Sequence, residues 1–364
     1  MTTVTYKCPS CGGGLTFDPA TQTYKCEYCL SDYTQEQLEA LETDKAAKEQ
    51  AAQAVAQAEA QPTMQTAAQQ PKEPQALLYT CPSCGAEIVT DETTAASFCF
   101  YCQNPVVLAG KLEGKYHPDF VLPFTLDKEK ATKIFTDWIA QKKYVPKAFF
   151  AKEQIEKMTG VYFPYWLYSC QVDGSLDAEG LKLRTWVAGT MQYTETQKFG
   201  VTRQGNMKVE HVTRNALKKA DKQLVEGVLP FDMKGLKPFS MGYLSGFVAE
   251  KRDMEEQDFA PGVEEEVKSY AASNLQSSIG EYSSVSVQKQ ETNIVSPEWR
   301  YALMPVWTLT YREKKSDKIY YFACNGQTGK ICGKLPVDIT KLGILFAEIF
   351  LPLAALLLAV GYWI

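Results

Sequence analysis

A chain of 364 residues, 45% hydrophobic and 22% charged, can bury one large core or several small ones, which excludes a collagen-like or wholly disordered protein. Its eleven cysteines fall mostly in CxxC pairs, which points to metal ligation in a reducing compartment rather than to an extracellular disulfide framework. The net charge of −5 is uneven, at −1 over residues 1–33, −4 over 34–75, −3 over 76–105 and +3 over the remainder, so the front of the chain is poorly suited to a phosphate backbone.

The opening segment MTTVTYKCPS has no apolar core and no cleavage site, so no signal peptide is expected and the N-terminal part should be cytoplasmic. YKCPSCGGGLTFDPATQTYKCEYC, residues 6–29, then recurs without a gap as YTCPSCGAEIVTDETTAASFCFYC, residues 79–102, at an offset of 73. The two copies share all four cysteines, the run CPSCG, an Asp (Asp18 and Asp91) and a Tyr inside the last CxxC.

Cys8, Cys11, Cys26 and Cys29, and likewise Cys81, Cys84, Cys99 and Cys102, have the arithmetic of a tetrahedral zinc site. Two residues within each pair let both sulfurs face one ion, and the fourteen between pairs suffice for a hairpin that brings the second turn across from the first. Zinc-ribbon spacings are often a little longer. Gly12 and Gly85 follow the second ligand and suit a left-handed turn there. Four thiolates close the coordination shell, whereas a catalytic zinc keeps an open position and usually takes His or carboxylate ligands. Each site should therefore hold a zinc ion that folds its ribbon. Each loaded site adds a formal −2 to an already acidic front.

The domain organisation expected is a first ribbon over 1–33, an Ala/Gln-rich linker over 34–75 and a second ribbon over 76–110. The linker starts in good helix formers and ends in Pro62, Pro71 and Pro74, so it reads as a tether that lets the first ribbon move.

From 111 to 340 the texture is mixed α+β. The runs DFVLPF, GVYFPYWLYSCQV, LKLRTWV and YALMPVWTLTY read as strands. DKEKATKIFTDWIAQKK places Ala131, Ile134, Phe135, Trp138 and Ile139 on one helical face, and GVEEEVKSYAASNLQSSI reads the same way. YFPYWLYS and LMPVWTLT echo one another, so the region divides into two related halves. YYFACNGQTGKICG reads as a hairpin turning at Asn325 to Gly329.

Catalytic candidates are few. His117 and His211 have no partner pattern, and GQTGK lacks the glycine interval and the Ser/Thr of a phosphate-binding loop. Cys170, Cys324 and Cys332 read as small core hydrophobes, and the Trp and Tyr runs as core.

Leu342 to Ile364 carries one charge, Glu348, and at 1.5 Å per residue spans roughly 34 Å against about 30 Å of hydrocarbon. It should be a single transmembrane helix. Lys330, Lys334 and Lys341 precede it and nothing basic follows, which keeps the bulk of the chain cytoplasmic.

Taken together, the second cysteine repeat, VLPFTLDKEKA, GVYFPYWLY, RTW, YALMPVWTLTY and NGQTGKICGKLPVD before a terminal apolar helix resemble a bacterial family, the TFIIB-type zinc-ribbon-containing or YdjG-like proteins. The resemblance runs over nearly the whole chain. In that family the zinc ligands correspond to the eight cysteines above. The resemblance implies a cytoplasm-facing membrane protein that recruits SPFH-domain (flotillin-like) and PspA-like envelope-stress proteins. A non-enzymatic membrane-anchored adaptor is thus the first expectation. A nucleic-acid-binding module is the alternative, opposed by a second ribbon that carries Glu87, Asp91 and Glu92 and no Lys or Arg over 79–105. An enzyme is the third.

Overall fold

The computed structural model describes residues 6–38, 40, 77–81, 87–99, 105–313 and 318–363. The first cysteine module is a small antiparallel sheet of β1 (Leu15–Asp18), β2 (Thr23–Cys26) and β3 (Asp32–Tyr33). The second starts with the hairpin β4 (Leu77–Thr80) and β5 (Glu87–Thr90). It continues as β6 (Thr94–Phe98) and β7 (Pro105–Val107), which join the main sheet.

That ten-stranded sheet also contains β8 (Phe120–Val121), β9 (Thr159–Ala188), β10 (Met191–Asn215), β11 (Lys237–Pro238), β12 (Val248–Glu250), β13 (Ser284–Arg312), β14 (Ile319–Asn325) and β15 (Ile331–Lys334). Its order is β11-β8-β13-β9-β12-β6-β7, with β10 also on β9, and β14 and β15 carried by β13. Four helices matter here: α1 (Lys128–Ala140), α2 (Lys222–Gly227), α3 (Ala260–Ser277) and α4 (Ile339–Trp363).

The element order β8-α1-β9-β10 repeats as β12-α3-β13-β14. β8 pairs in parallel with β13, and β12 in parallel with β9, so the short strand that opens each unit lies on the long strand of the other. The two Pro-x-Trp segments are direct neighbours, with Pro164 opposite Leu303 and Pro305 opposite Tyr162. A proline inside a sheet lacks a ladder donor and belongs where no partner needs one. Pro164 sits between Tyr162, the last β9 residue paired to β12, and Tyr165, the first paired to β10. Pro305 sits likewise between the β8 and β14 pairings of β13. Each proline carbonyl accepts a loop N–H, from Ala216 and from Gly326 respectively, both at 2.9 Å.

GVYFPYWLYSCQV and LKLRTWV, expected as separate strands, are parts of the single 30-residue β9. The glycines between them are packing sites. A Cβ at Gly174 would come within 2.6 Å of the Leu275 side chain, and one at Gly180 within 2.6 Å of the Tyr282 ring.

α1 starts at Asp127, whose carboxylate accepts the Lys130 N–H, and it buries Ala131, Phe135 and Ile139, with Ile134 and Trp138 half-covered at the edge of the same core. α3 buries Val263, Val267 and Ala271 against β9 and β13. Asn325 builds the β14–β15 turn as its spacing predicts: its side-chain oxygen takes the N–H groups of Gln327 and Thr328, its amide donates to Val228 O, and Gly329 adopts φ +75°. Cys170 and Cys324 are buried as expected. Cys332, on the edge strand β15, is half-buried and packs at the margin of a core cluster, so close to α2 that a Cβ at Gly227 would collide with its Sγ. The Tyr and Trp runs are core, with Tyr162, Tyr165, Tyr168, Trp166 and Trp307 all buried.

The expected mobility of the first module is not what the packing gives. Leu15, Phe17 and Tyr24 are buried in the same cluster as Phe124, Tyr162 and Trp307. Phe17 N–H donates to Ser245 O at 3.0 Å, the Ser245 hydroxyl donates back to Leu15 O, and Gln22 Nε2 reaches Phe124 O at 2.7 Å. The face of β1 and β2 that the CxxC turns leave free is apolar and is buried against the domain.

Candidate metal centre

Cys8, Cys11, Cys26 and Cys29 converge, with all four sulfurs within 4.8 Å of one another. Cys8 Sγ lies 3.5 Å from Cys29 Sγ, and Cys11 Sγ 3.4 Å from Cys26 Sγ. Tetrahedral bonds of about 2.3 Å place thiolate sulfurs roughly 3.8 Å apart, so the group has the geometry to hold one metal ion.

Backbone hydrogen bonds shape both CxxC turns. Cys8 O accepts Gly12 N–H at 2.8 Å and Cys26 O accepts Leu30 N–H at 2.9 Å, which closes one tight turn per CxxC. Gly12 is left-handed at φ +75°, the conformation its place in the sequence suggests. Leu30 takes the matching position in the second turn at φ +59°, where a β-carbon is a steric cost. Cys8 and Cys26 are buried, and Cys11 and Cys29 exposed, so the centre straddles the module's surface.

The thiols are unlike one another. Burial pushes Cys8 up, but hydrogen bonds with the Tyr33 hydroxyl and the N–H groups of Cys11 and Ser10 bring it down to about 6. The Gly13 N–H lowers Cys11, yet the adjacent Cys26 and Cys29 thiols push it up to about 12. Four sulfurs this close cannot all ionise unless a cation shares the site, and a cation removes the conflict.

Tyr33 and Ser31 are parts of the centre that the cysteine pattern does not announce. Tyr33 Oη lies 3.6 Å from Cys8 Sγ and 2.7 Å from Ser10 Oγ, and Ser31 Oγ lies 3.3 Å from Cys29 Sγ. Such partners orient metal ligands. The repeat itself gives no signal for Tyr33, because the residue 73 places on is the buried Val106.

In the second module Cys81 and Cys99 are both buried in one small cluster with Tyr79, Val106 and Leu108. Cys84, Gly85 and Cys102 lie outside the described residues. The shared aspartate accepts a backbone N–H just after it in both copies: Asp18 Oδ1 takes Ala20 N–H at 2.8 Å in the β1–β2 hairpin turn, and Asp91 Oδ1 takes Thr94 N–H at 2.7 Å in the turn where the chain passes from β5 to β6. His117 packs edge-on to Phe239, and His211 sits in a bulge of β10, so among the described residues neither joins a cysteine group.

Across almost its full length the chain also has a relative. It is 30% identical over 351 residues to "Uncharacterized protein YdjG" of Bacillus subtilis (strain 168), covering 95% of this chain and 94% of the relative. The chain belongs to the YdjG-like family. No protein-family model matches it, and no solved structure does.

In this YdjG-like chain the second module joins the domain through the pairing of β6 with β12, and a charge cluster lies beside that junction. Lys219 Nζ reaches Asp91 at 2.7 Å and Glu250 at 2.9 Å. Lys111, itself buried, donates to Thr90 Oγ1 at 3.3 Å and to Asp91 O, under the Tyr79 ring. Burial pushes its amine down to about 8. Sequence spacing alone offers no sign that residues 91, 219 and 250 meet.

Proposed function

We propose that this protein is a non-enzymatic, zinc-binding, membrane-anchored adaptor. Two four-cysteine zinc sites, Cys8/Cys11/Cys26/Cys29 and Cys81/Cys84/Cys99/Cys102, complete the scaffold, and the domain recruits partner proteins at the cytoplasmic face of a membrane. The reading rests foremost on Ile339–Leu358, a segment long and apolar enough to cross a membrane, with none of it buried against the fold. A helix with no apolar surface to cover it in water belongs in lipid, and Lys330, Lys334 and Lys341 before it favour a cytoplasmic domain. A closed four-sulfur shell favours structure over catalysis, because no coordination position is left for substrate. The family resemblance supports SPFH-domain and PspA-like proteins as the partners.

The test is a native-level tagged chain, crosslinked in intact cells, extracted in detergent and analysed by mass spectrometry. Recovery of SPFH-domain or PspA-like proteins is expected, and their loss on deletion of 342–364. Extraction that yields no protein partner overturns the adaptor reading. Metal analysis tests the sites: Cys81→Ser should release about one zinc per chain, and two zinc ions retained would remove Cys81 from the ligand set.

A further inference from the structure

The segment that follows α1 is docked on the root of α4. Tyr144 O accepts the Asp338 N–H at 2.7 Å, and Val145 O accepts Lys341 Nζ at 2.8 Å. That segment is basic: residues 141–157 carry Lys142, Lys143, Lys147, Lys152 and Lys157, all exposed, against Glu153 and Glu156. Lys334 and Lys341 add two cations, and Asp338 adds one carboxylate, which caps α4 by taking the N–H groups of Thr340 and Lys341 at 3.1 and 3.3 Å. Beside them Lys157 lines a hollow with Glu153, Glu313 and the exposed Val337 and Ile339. With Glu313 counted, this face nets +3, as much as the whole of residues 106–364. Among the described residues Lys143, Lys147, Lys152 and Lys157 have no ion-pair partner, whereas Lys130 and Lys133 on the neighbouring α1 are paired with Asp127 and Asp137.

We propose that this lysine collar binds the headgroups of anionic phospholipids where α4 enters the bilayer, so that the domain prefers negatively charged membrane. The proposal rests on the membrane-anchored reading. With the apolar run beginning at Leu342, Asp338 to Lys341 lie in the headgroup layer, roughly 5–7 Å deep, and the Tyr144 and Val145 carbonyls bonded to them lie there too. Lys143 and Lys147 flank those carbonyls, and Lys157 lines the hollow beside Ile339, so their amines stand at the level of the phosphates. A lysine near such a surface strengthens binding about fivefold, and four free ones act together. An acidic protein would match the same charge, but it would have to displace the headgroups that α4 brings to this face in any case. The lysines of 141–157 therefore extend to a folded face the basic flank that Lys334 and Lys341 begin in the sequence.

The experiment offers the full chain, in dilute detergent, a choice between vesicles of phosphatidylcholine and vesicles of its equal mixture with phosphatidylglycerol. The native chain should favour the anionic vesicles about tenfold or more at low salt and lose most of that preference at high salt. Lys143→Gln, Lys147→Gln, Lys152→Gln and Lys157→Gln combined, all at exposed positions, should abolish the preference, and arginine at the same four positions should keep it. Acylation of lysines read by mass spectrometry locates the contact: the four should react about threefold more slowly in anionic vesicles than in phosphatidylcholine, with Lys289, far along β13, unchanged. Carbonate washing reads α4 separately. A chain that resists the wash in both vesicle types, with equal partition and unchanged lysine rates, refutes the collar and leaves the anchor standing. A chain washed out of both refutes the anchor as well. Protection of the four lysines in detergent without anionic lipid, with crosslinks from them to another copy, assigns this face to a second copy and overturns the proposal.

Discussion

Phe17 of the first cysteine module meets Tyr243 of the α+β domain edge to face, with ring centroids 5.2 Å apart. Around this contact Leu15 and Tyr24 are fully buried, and Gln35 Nε2 donates to Ser240 Oγ at 2.7 Å. The two CxxC turns hold β1 and β2 in the shape that presents this face, so a metal ion held by the four cysteines is expected to be linked to domain stability. Cys26→Ser should therefore release metal from the first site and also expose residues 240–247 to protease. Phe17→Ala should cost about 3–5 kcal/mol, as for other buried aromatics. Limited proteolysis and denaturant melts read both. A domain that unfolds at its native midpoint after Cys26→Ser would show that the interface carries no such linkage.

The ion cluster at the second module predicts a pH dependence. Burial raises the Asp91 carboxyl, but hydrogen bonds from Lys219 and Thr94 hold it well below the usual carboxylate range. A depressed carboxyl contributes stability present above its unfolded value, about 3.9, and lost as pH falls below it. Asp91→Asn should lower stability at neutral pH and shrink the further loss on acidification. Lys111 runs the other way: its amine is pushed down to about 8 by burial, so the native state binds fewer protons than the unfolded one from there up to about 10.4. Stability should rise with pH across that window, and Lys111→Met should remove the rise. Urea melts at a series of pH values check both signs, and a wild-type profile flat above pH 8 would refute the Lys111 assignment.

The sequence makes some of this legible because the chemistry is local. Cysteine spacing, the Ala131/Phe135/Ile139 stripe, the Asn325 turn and the apolar run around Glu348 all sit within one element or one hairpin. The rest is set by contacts distant along the chain. Phe17 and Tyr24 look internal to a small ribbon until the Gly242–Phe247 segment is seen beneath them. Gly174 and Gly180 read as breaks in β9, but they are the places where Leu275 and Tyr282 approach the strand, and a strand five times the usual length of about 5–6 residues has no local mark. LKLRTWV, at the exposed far end of the β9–β10 ribbon, reads in sequence as an ordinary strand, because Trp and Val in strands are usually core.

Arg252 gives a prediction about side-chain chemistry. It is 4% exposed, 4.7 Å from the Trp166 ring centre, 5.3 Å from that of Tyr116 and 5.6 Å from that of Tyr301. One terminal nitrogen bonds Glu255 and the other Lys115 O at 2.6 Å. The planar guanidinium stacks on rings while bonding at its edge, which a compact ammonium cannot do. Arg252→Lys should destabilise the domain by about 1–3 kcal/mol, because it leaves a strongly hydrated charge in an aromatic pocket. Arg252→Met should cost less, since it fills the pocket and leaves half-exposed Glu255 to water. Equal denaturant midpoints for the lysine variant and the native chain would mean that the stacking contributes nothing measurable.

Glu348 is the one carboxylate in α4 after Lys341, about 14 Å along the helix from Ile339. It is exposed, on the side of the helix away from Phe346 and Phe350, whose rings stack at 5.2 Å, and Pro352 one turn further removes a backbone donor from the same stretch. Among the described residues none of Ile339–Leu358 is buried, so a partner for the carboxylate within a bilayer is expected from another chain. Glu348→Leu should insert in membranes at least as well as the native helix, because removing the charge eases transfer into lipid. The same variant should lose a co-purifying membrane partner, as hydrogen bonding between helices is what the carboxylate supplies there. Comparing what each chain retains in detergent decides it. If the leucine variant keeps its membrane partner in full, Glu348 reaches toward headgroup water and pairs with no neighbouring helix.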